Sequence, residues 1–321
     1  MDRRFRRCFF RFKVAAGTYH ACARSSEGAV VCWGSSKPSG AAGDDGYPLF
    51  SLPVRVHFAE GTIGEPLELA AGAAHTCARW RTDGEVWCWG DNSHGQLGLD
   101  PSDVAPAYSS RPTKVTLTWA EHGSTQITAG GDHTCALRTD GRVWCWGRND
   151  ERQLGRSTNA DLSKFEPVAF PAFAQGIVQI TAGYDHSCAL DQAGKVFCWG
   201  ANGKRQLGVD SESLPRSAFP VAVELPLPAI DVRAGASHSC VILSDAKVWC
   251  WGSNGNGLLG TTDMKATGPL QVPLLGNPRI SELAVASTHT CVRREDCAVQ
   301  CWGGEGFELG DTSLSSAKTL P

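Results

Sequence analysis

The sequence predicts an all-β fold, a propeller in which six small sheets surround a ring, and two repeated motifs support this prediction. A motif of the form Ala-Gly-x-x-His-x-Cys recurs along the chain, and Cys-Trp-Gly follows each copy, ten or eleven residues from cysteine to cysteine. The second motif returns every 51–57 residues, and a period of about 50 residues is typical of propellers and related arrays. The repeated residues are His20, His75, His133, His186, His238 and His289, and Trp33, Trp89, Trp146, Trp199, Trp251 and Trp302.

Each repeat unit contains a hairpin with two apolar faces. Between residues 133 and 147, the sequence around Asp140 is a turn signal that separates two short apolar segments. A hairpin symmetric about Asp140 places Cys135 opposite Cys145, and the alternation of side chains along a strand puts Trp146 on the other face. Both faces are therefore expected to be buried, as in a sheet stacked between two similar sheets.

The segments that flank each hairpin complete a four-stranded unit. Residues 179–182 are predicted to form an inner strand, and stretches such as 112–115 and 220–223 are predicted to form an outer strand. Glycine-rich loops follow the hairpins, and one leucine in each loop is expected to fill the core: Leu97, Leu154, Leu207 and Leu259.

The composition excludes several classes of protein. The 321 residues carry 30 basic and 33 acidic side chains, and the net charge of −3 argues against a nucleic-acid partner. No apolar run reaches the roughly 18 residues that a membrane-spanning helix needs. Length alone favours two domains, whereas the repeats favour a single domain over residues 14–321, preceded by a basic segment at residues 1–13.

The units at residues 75–98, 133–155 and 186–208 best fit the pattern His-Thr/Ser-x-Ala-Leu-x-x-x-Gly-x-Val-x-x-Trp-Gly-x-Asn-x-x-Gly-Gln-Leu-Gly. This pattern resembles the repeat of the regulator of chromosome condensation (RCC1) family, over about residues 14–310. The resemblance implies a β-propeller, usually of seven four-stranded blades, but only six hairpins are visible here. We therefore expect six four-stranded blades, either as a closed ring or as an incomplete seven-bladed ring.

Twelve of the 14 cysteines fall into pairs that face each other across the predicted hairpins. We predict that these pairs form disulfides, each stabilising the fold by about 2–3 kcal/mol. Disulfides indicate an oxidising compartment, so a secreted, periplasmic or cell-surface location is expected. Two alternatives stay open, a zinc site built from one histidine and two cysteines, and reduced cysteines in a cytosolic core. The predicted pairs are Cys22 with Cys32, Cys77 with Cys88, Cys135 with Cys145, Cys188 with Cys198, Cys240 with Cys250, and Cys291 with Cys301.

The two remaining cysteines, Cys8 and Cys297, have no partner in this pattern. Free thiols, or bonds to sequence outside this chain, are expected ahead of a Cys8–Cys297 bridge, which stays open. Residues 1–13 hold six basic side chains among four phenylalanines and lack an export-signal pattern. We interpret them as a misplaced or truncated start, with a basic arm for anionic partners as the alternative.

The sequence contains no motif that predicts catalysis or a cofactor. Metalloprotease, phosphate-loop and nucleophile-elbow patterns are absent, and acidic pairs such as Asp44-Asp45 are interpreted as solvated loops. The repeated histidine is predicted to be structural, with a hydrogen bond to the backbone. In plant ultraviolet receptors that resemble this family, a Gly-Trp-Arg-His-Thr motif carries special chemistry. Here its variable positions hold Ala73-Ala74, Gly131-Asp132 and Tyr184-Asp185, so that role does not transfer.

The predicted function is that of a monomeric, non-enzymatic scaffold that binds a protein or glycan through loops on one propeller face, without a metal or cofactor. The alternative, implied by the nuclear family member, is guanine-nucleotide exchange on a small GTPase, and an unrecognised enzyme is a third possibility. The candidate partner-binding residues lie at hairpin turns, where their mixed charge is equally expected of a solvated surface. They are Arg81, Asp83, Glu85, Arg138, Asp140, Arg142, Asp191, Lys195, Asp245, Lys247, Arg293 and Glu295.

Overall fold

The structure is a computed structural model, and it describes residues 13–35, 49–59, 65–99, 106–116, 123–157, 166–263 and 267–304. Within these ranges the chain forms six antiparallel sheets, which we number as blades 1–6 in chain order. In each sheet, strands that are consecutive in sequence are hydrogen-bonded neighbours. The predicted all-β, six-bladed propeller is therefore confirmed.

Four blades contain four strands, and the described residues of blades 3 and 6 form three. In blade 3, a single bridge between Trp144 and Pro167 marks the outer position. A short 3-10 turn, Gly255–Gly257, follows the third strand of blade 5. The strands are β1 (Lys13–Ala16), β2 (His20–Arg24), β3 (Val30–Ser35) and β4 (Leu49–Arg55) in blade 1; β5 (Pro66–Ala71), β6 (His75–Trp80), β7 (Val86–Asp91) and β8 (Tyr108–Lys114) in blade 2; β9 (Ser124–Ala129), β10 (His133–Arg138) and β11 (Val143–Gly147) in blade 3; β12 (Ile177–Ala182), β13 (His186–Asp191), β14 (Val196–Ala201) and β15 (Arg216–Val223) in blade 4; β16 (Ala229–Ala234), β17 (His238–Leu243), β18 (Val248–Gly252) and β19 (Leu270–Gln271) in blade 5; and β20 (Ile280–Val285), β21 (His289–Arg294) and β22 (Val299–Gly303) in blade 6.

The core lies between the blades, because each blade is apolar on both faces. Between blades 3 and 4, Leu137 and Val143 of blade 3 pack in one cluster with Ile180 and Trp199 of blade 4. Thus the face that carries the cysteine pair contacts the next blade, and the face that carries the repeated tryptophan contacts the preceding one. The predicted loop leucines are buried in the same clusters, as Leu154 is here.

The repeated tryptophans also tie neighbouring blades together through hydrogen bonds. The indole Nε1 of Trp146 donates to the backbone oxygen of Gln96 at 2.9 Å, and Trp199 donates in the same way to Gln153. Each acceptor belongs to the loop that follows the hairpin of the preceding blade. The indole N–H is thereby satisfied inside a dry interface, where an unpaired donor would cost about 1–3 kcal/mol.

The hairpin register is the one that the turn signal predicts, with Cys135 opposite Cys145 and Leu137 opposite Val143. All six predicted cysteine pairs are disulfide-bonded, with Cα atoms 4.1 Å apart in each pair. The six bonds join Cys22 to Cys32, Cys77 to Cys88, Cys135 to Cys145, Cys188 to Cys198, Cys240 to Cys250, and Cys291 to Cys301.

The oxidised pairs decide between the alternatives for the cysteines. Because these sulfurs are covalently paired, the zinc-site and reduced-core alternatives are wrong for these twelve residues. In the described part of the chain, no group of three or more His, Cys, Asp and Glu side chains is placed to hold a metal ion. The cysteines therefore act as covalent links between the second and third strands of each blade.

Cys297 departs from the expectation of a free thiol, since it too is disulfide-bonded. It occupies the turn between β21 and β22, and Cys8 lies outside the described residues. The basic segment at residues 1–12 is likewise outside them. None of the described helical segments has the length and apolarity to cross a lipid bilayer.

Candidate functional site

The propeller has two ends with different chemistry. The turns between the second and third strands of the blades, such as the one at Asp140, lie at one end, which we call the turn end. The Gly-x-x-His connections between the first and second strands lie at the opposite end, which we call the histidine end. Antiparallel pairing fixes this separation, because consecutive turns of a meander lie at opposite edges of the sheet.

The acidic residues predicted at the turn end stabilise their own turns. The carboxylates of Asp83, Asp140 and Asp245 each accept a hydrogen bond, 3.0 Å long, from the backbone N–H two residues later. Asp191 is buried and accepts from the backbone of Lys195 and of Gln175. These carboxylates serve local backbone geometry, as expected of Asx-type turns.

The other predicted turn-end residues also have contacts within the chain. Arg138 is buried, with its guanidinium 5.3 Å from the centre of the Trp144 ring. Arg81 donates a backbone hydrogen bond to the backbone oxygen of Glu65, and Arg142 is exposed. The remaining side-chain contacts join Glu85 to Lys114, Lys195 to the ring of Phe173, Lys247 to Asn277, Arg293 to Glu282, and Glu295 to Arg279. The structure distributes these residues over several separate turns, so their role in partner binding stays a prediction.

The repeated histidines link consecutive blades through side-chain hydroxyls. The Nε2 atom of His75 lies 2.9 Å from Thr134 Oγ1, and that of His133 lies 2.8 Å from Ser187 Oγ. Equivalent bonds join His20 to Thr76, His186 to Ser239 and His238 to Thr290. The sequence predicted a bond to the backbone, and this is corrected: the partner is the Thr or Ser that follows the histidine of the next blade.

The hydroxyl partner requires a proton on Nε2 of the histidine, and burial keeps the ring neutral. Thr134 Oγ1 donates its own proton to the backbone oxygen of Gln96 at 2.9 Å, so it accepts from the Nε2–H of His75. Burial lowers the pKa of this ring from 6.5 to about 3. The other buried rings behave alike, with the pKa lowered to about 3 for His133 and His186 and to about 4 for His20 and His238. A neutral, buried ring with its Nε2 hydrogen-bonded to the next blade is suited to holding blades together.

The histidine end surrounds a narrow central opening lined by the Ala-Gly turns of the blades. Backbone hydrogen bonds run between these turns, from Gly131 N to Tyr184 O at 2.9 Å and from Tyr184 N to Ala236 O at 3.1 Å. A Cβ atom on Gly130 would lie 2.5 Å from the backbone oxygen of Gly183. Glycine is therefore required here by the close approach of neighbouring blades.

Beside this opening, the half-buried carboxylates of Asp132 and Asp185 lie near Arg148. The Nη1 atom of Arg148 is 3.6 Å from Asp132 Oδ2, and its Nε atom donates to Asp150 Oδ2 at 2.7 Å. Burial raises the pKa of Asp132 and of Asp185, and the hydrogen bond from Arg148 to Asp150 raises the pKa of the guanidinium. Charged groups that are kept partly desolvated interact strongly with a partner, because less water must be removed.

Exposed aromatic rings adjoin these charges. Tyr184 is 38% exposed, and burial together with the nearby carboxylates raises its pKa. Tyr19 is 64% exposed and lies close enough to act on Tyr184 electrostatically. We call the whole surface the funnel patch, and it consists of Tyr19, Asp91, Asp132, Arg148, Asp150, Glu151, Tyr184 and Asp185.

The funnel patch was not among the sites predicted from the sequence, in which Asp132, Tyr184 and Asp185 counted only as departures from another motif. A signal was nevertheless present, because these residues occupy the two variable positions inside the repeated Gly-x-x-His motif. Positions that vary within an otherwise regular repeat are free to carry a surface that only one part of the ring needs.

The family model described as the RCC1-like domain matches residues 4–321 of this chain. A curated relative from Arabidopsis thaliana, the RCC1 domain-containing protein RUG3, mitochondrial, is 32% identical over 270 residues. That match covers 82% of this chain and 58% of the relative. The human E3 ubiquitin-protein ligase HERC2 is 29% identical over 280 residues, which cover 86% of this chain and 6% of HERC2. The chain thus spans about half of one relative and a small part of the other.

Solved structures share the fold. Prp20p from Saccharomyces cerevisiae superposes with a TM-score of 0.82 at 23% identity, covering 96% of this chain and 75% of Prp20p. Human WBSCR16 superposes with a TM-score of 0.84 at 19% identity, covering 97% of this chain and 81% of that protein. At sequence identities of 23% and 19%, the similarity to these two proteins shows the fold alone, which is the arrangement of the blades.

Proposed function

This chain belongs to the RCC1-like domain family, and we propose that it is a protein-binding propeller whose partner docks on the funnel patch. The observation that carries the proposal is the pairing of exposed Tyr19 and Tyr184 with the half-buried Asp132 and Asp185 on short, hydrogen-bonded turns. Tyrosine and desolvated charge dominate the energy of protein interfaces, and rigid loops lose little entropy on binding.

Two similar proteins support a binding role. The Prp20p structure is described together with its binding properties to Gsp1p and histones, and HERC2 is an E3 ubiquitin-protein ligase of which this chain matches a small part. We propose a binding role without catalysis, because the repeated histidines are engaged between blades and the paired cysteines are oxidised. That the chain is a monomer without a cofactor stays a prediction.

We also propose that the chain works in an oxidising compartment, outside the cell or in an envelope space. Six disulfides support this location, since thiols in the cytosol are kept reduced. The Arabidopsis relative is named as mitochondrial, so fractionation of cells that express the tagged chain is the direct measurement. Recovery in the cytosolic fraction with reduced cysteines would contradict the proposed location.

A photo-crosslinking residue tests the docking site. We would place the photo-reactive amino acid benzoylphenylalanine at Tyr184 and, as a matched control, at Leu275, which is exposed near the turn end beside Asn277. We expect a covalent adduct with one partner from the Tyr184 position and none from the Leu275 position. An adduct from Leu275 alone would move the binding site to the turn end.

Charge neutralisation then tests the chemistry with the partner identified by that adduct. The double change Asp132→Asn and Asp185→Asn is expected to weaken binding about tenfold, the factor equivalent to about 1.4 kcal/mol. The exposed Arg142→Gln change at the turn end is the control, and it should leave affinity unchanged. Equal affinities in all three proteins would refute the funnel patch as the docking site. If the partner is a small GTPase, faster nucleotide release would identify the alternative exchange function.

A further inference from the structure

The hairpin disulfide of blade 6 differs from the other five in its surroundings. The ten hairpin cysteines of blades 1–5 are at most 1% exposed, and each pair lies in an apolar cluster shared with the next blade. Cys291 and Cys301 are partly exposed and belong to none of these clusters. On the same face of blade 6, Val299 is 63% exposed, whereas the equivalent Val196 of blade 4 is 0% exposed. A thiol in solution can therefore approach this disulfide more readily than the others.

In four of the other blades, a hydroxyl of the next blade lies against the disulfide. Thr134 Oγ1 is 3.9 Å from Cys77 Sγ and 2.9 Å from His75 Nε2, so one oxygen contacts both groups. Equivalent sulfur–oxygen distances of 3.8–3.9 Å join Cys22 to Thr76, Cys135 to Ser187 and Cys188 to Ser239. For blade 6, the residue at the corresponding position of blade 1 is Ala21, which has no hydroxyl.

His289 shares the face of the blade 6 disulfide. It precedes Cys291 by two positions in β21, so both side chains lie on one side of the strand. The equivalent His75 and Cys77 show how close such a pair comes, because His75 Nε2 and Cys77 Sγ contact the same oxygen. A protonated imidazole beside a sulfur stabilises the thiolate, and the sulfur with the more stable thiolate leaves faster in exchange.

We propose that the Cys291–Cys301 disulfide is a thiol–disulfide exchange site, which a protein dithiol opens reversibly while His289 stabilises the leaving Cys291 thiolate. The chain is the substrate of this exchange and the dithiol is its partner. The proposal does not depend on the funnel patch, because the two sites share no residue.

The exchange proceeds in two steps. A thiolate of the dithiol attacks Sγ of Cys301, so a new S–S bond forms, the bond to Cys291 breaks, and the Cys291 thiolate takes up a proton. The second thiol of the dithiol then attacks the mixed disulfide and releases Cys301 as a thiol. Two electrons and two protons pass to the chain, and the dithiol becomes a disulfide.

The opposite face of blade 6 holds the blade in place when this bond opens. Leu283, Val292 and Trp302 pack in one cluster with Val272 of blade 5. Trp302 is 0% exposed, and its Nε1 donates to the backbone oxygen of Leu258 at 3.0 Å. Reduction is therefore expected to act locally on β21 and β22, which suits a bond that is opened and closed again.

Differential alkylation of the full chain tests the site. We would treat the native protein with reduced thioredoxin as the probe dithiol, alkylate new thiols at timed intervals, and quantify each cysteine by mass spectrometry after digestion. We expect Cys291 and Cys301 to be reduced several-fold faster than the other ten hairpin cysteines. If they are reduced no faster than the buried pair Cys188 and Cys198, the proposal is wrong.

A trapping experiment identifies the sulfur that is attacked. A thioredoxin variant without its second cysteine cannot complete the exchange, so the mixed disulfide accumulates. We expect this thioredoxin to be attached to Cys301. Attachment to Cys291 would refute the assignment of Cys291 as the leaving group.

The variant His289→Gln tests the role of the histidine, with the exposed His57→Gln as the matched control. We expect His289→Gln to slow reduction of Cys291 and Cys301 several-fold and His57→Gln to leave the rate unchanged. A purely structural role would have the opposite sign, because a loosened blade 6 would be reduced faster. An unchanged or faster rate in His289→Gln would therefore overturn the role of His289.

Discussion

Acidification from pH 7.5 to pH 5.5 is expected to destabilise the propeller strongly, because its buried histidines are neutral. In His75, His133 and His186 burial lowers the pKa from 6.5 to about 3, and in His20 and His238 to about 4. The folded-state pKa lies below the unfolded one, so the unfolded chain binds more protons than the folded chain between about pH 6.5 and 4. The free energy of unfolding therefore decreases as the pH is lowered through that window.

The size of the effect follows from proton linkage. At pH 5.5 an unfolded histidine with a pKa of 6.5 gains about 1.4 kcal/mol by protonation, compared with about 0.1 kcal/mol at pH 7.5. Five such histidines together lower the free energy of unfolding by about 6.5 kcal/mol, a large fraction of the roughly 5–15 kcal/mol of a typical domain. Asp132 and Asp185 act in the opposite direction, because burial raises the pKa of both.

Denaturant unfolding at pH 7.5, 6.5 and 5.5 without reductant, followed by tryptophan fluorescence, measures this slope. Near pH 5.5 the slope should correspond to the uptake of about four to five protons on unfolding, each worth about 1.4 kcal/mol per pH unit. His133→Gln should reduce the slope by about one proton, and the exposed His57→Gln should not change it. A slope of less than one proton would refute the conclusion that these rings are buried and neutral.

Three further predictions concern the blades. Replacing Cys188 and Cys198 together by serine should lower the free energy of unfolding by about 2–3 kcal/mol in denaturant titrations, and an unchanged value would argue against a stabilising disulfide. Gly130→Ala should prevent soluble expression or lower the melting temperature by well over 5 °C, because the new Cβ meets a backbone oxygen. The control Gly141→Ala has open space around the new Cβ at a φ of 78°, so it should cost only about 1 kcal/mol. Equal losses in the two variants would contradict the close approach of the blades at Gly130. Thr134→Val should cost about 1–3 kcal/mol by thermal unfolding, since His75 loses its hydroxyl partner, and a neutral effect would contradict the inter-blade bond.

Local patterns predicted the fold of each blade because the information lies within a few residues. The turn at Asp140 and the alternation of side chains along the strands fix the register of Cys135 against Cys145, and these determine the disulfide. The same reasoning could not identify the partner of the repeated histidine. Thr134 follows His133 in sequence but bonds His75 of the preceding blade, 59 positions away, and only the stacking of blades brings the two together.

The funnel patch could not be predicted from the sequence, for a related reason. Asp132 and Asp185 belong to different blades, and each is unremarkable in its own repeat unit. They meet because the Gly-x-x-His connections converge on the central opening, where Arg148 lies between them. A single repeat unit contains no trace of this convergence, so a pattern search within one unit misses the cluster even when it finds every strand.

These results assign different roles to regular and irregular positions of the repeat. A residue that recurs in every unit, such as His133 or Trp146, contacts the neighbouring blade, and its ring nitrogen is engaged in a hydrogen bond that holds the blades together. A surface that recognises one partner has to differ from its copies, because six equal surfaces around a ring would offer no preferred site. Tyr184 differs from its copies at the histidine end, and Asp185 shares its side chain only with Asp132, while Cys297 differs from its copies at the turn end. The residues that depart from the repeat are therefore the ones to substitute first in experiments on function.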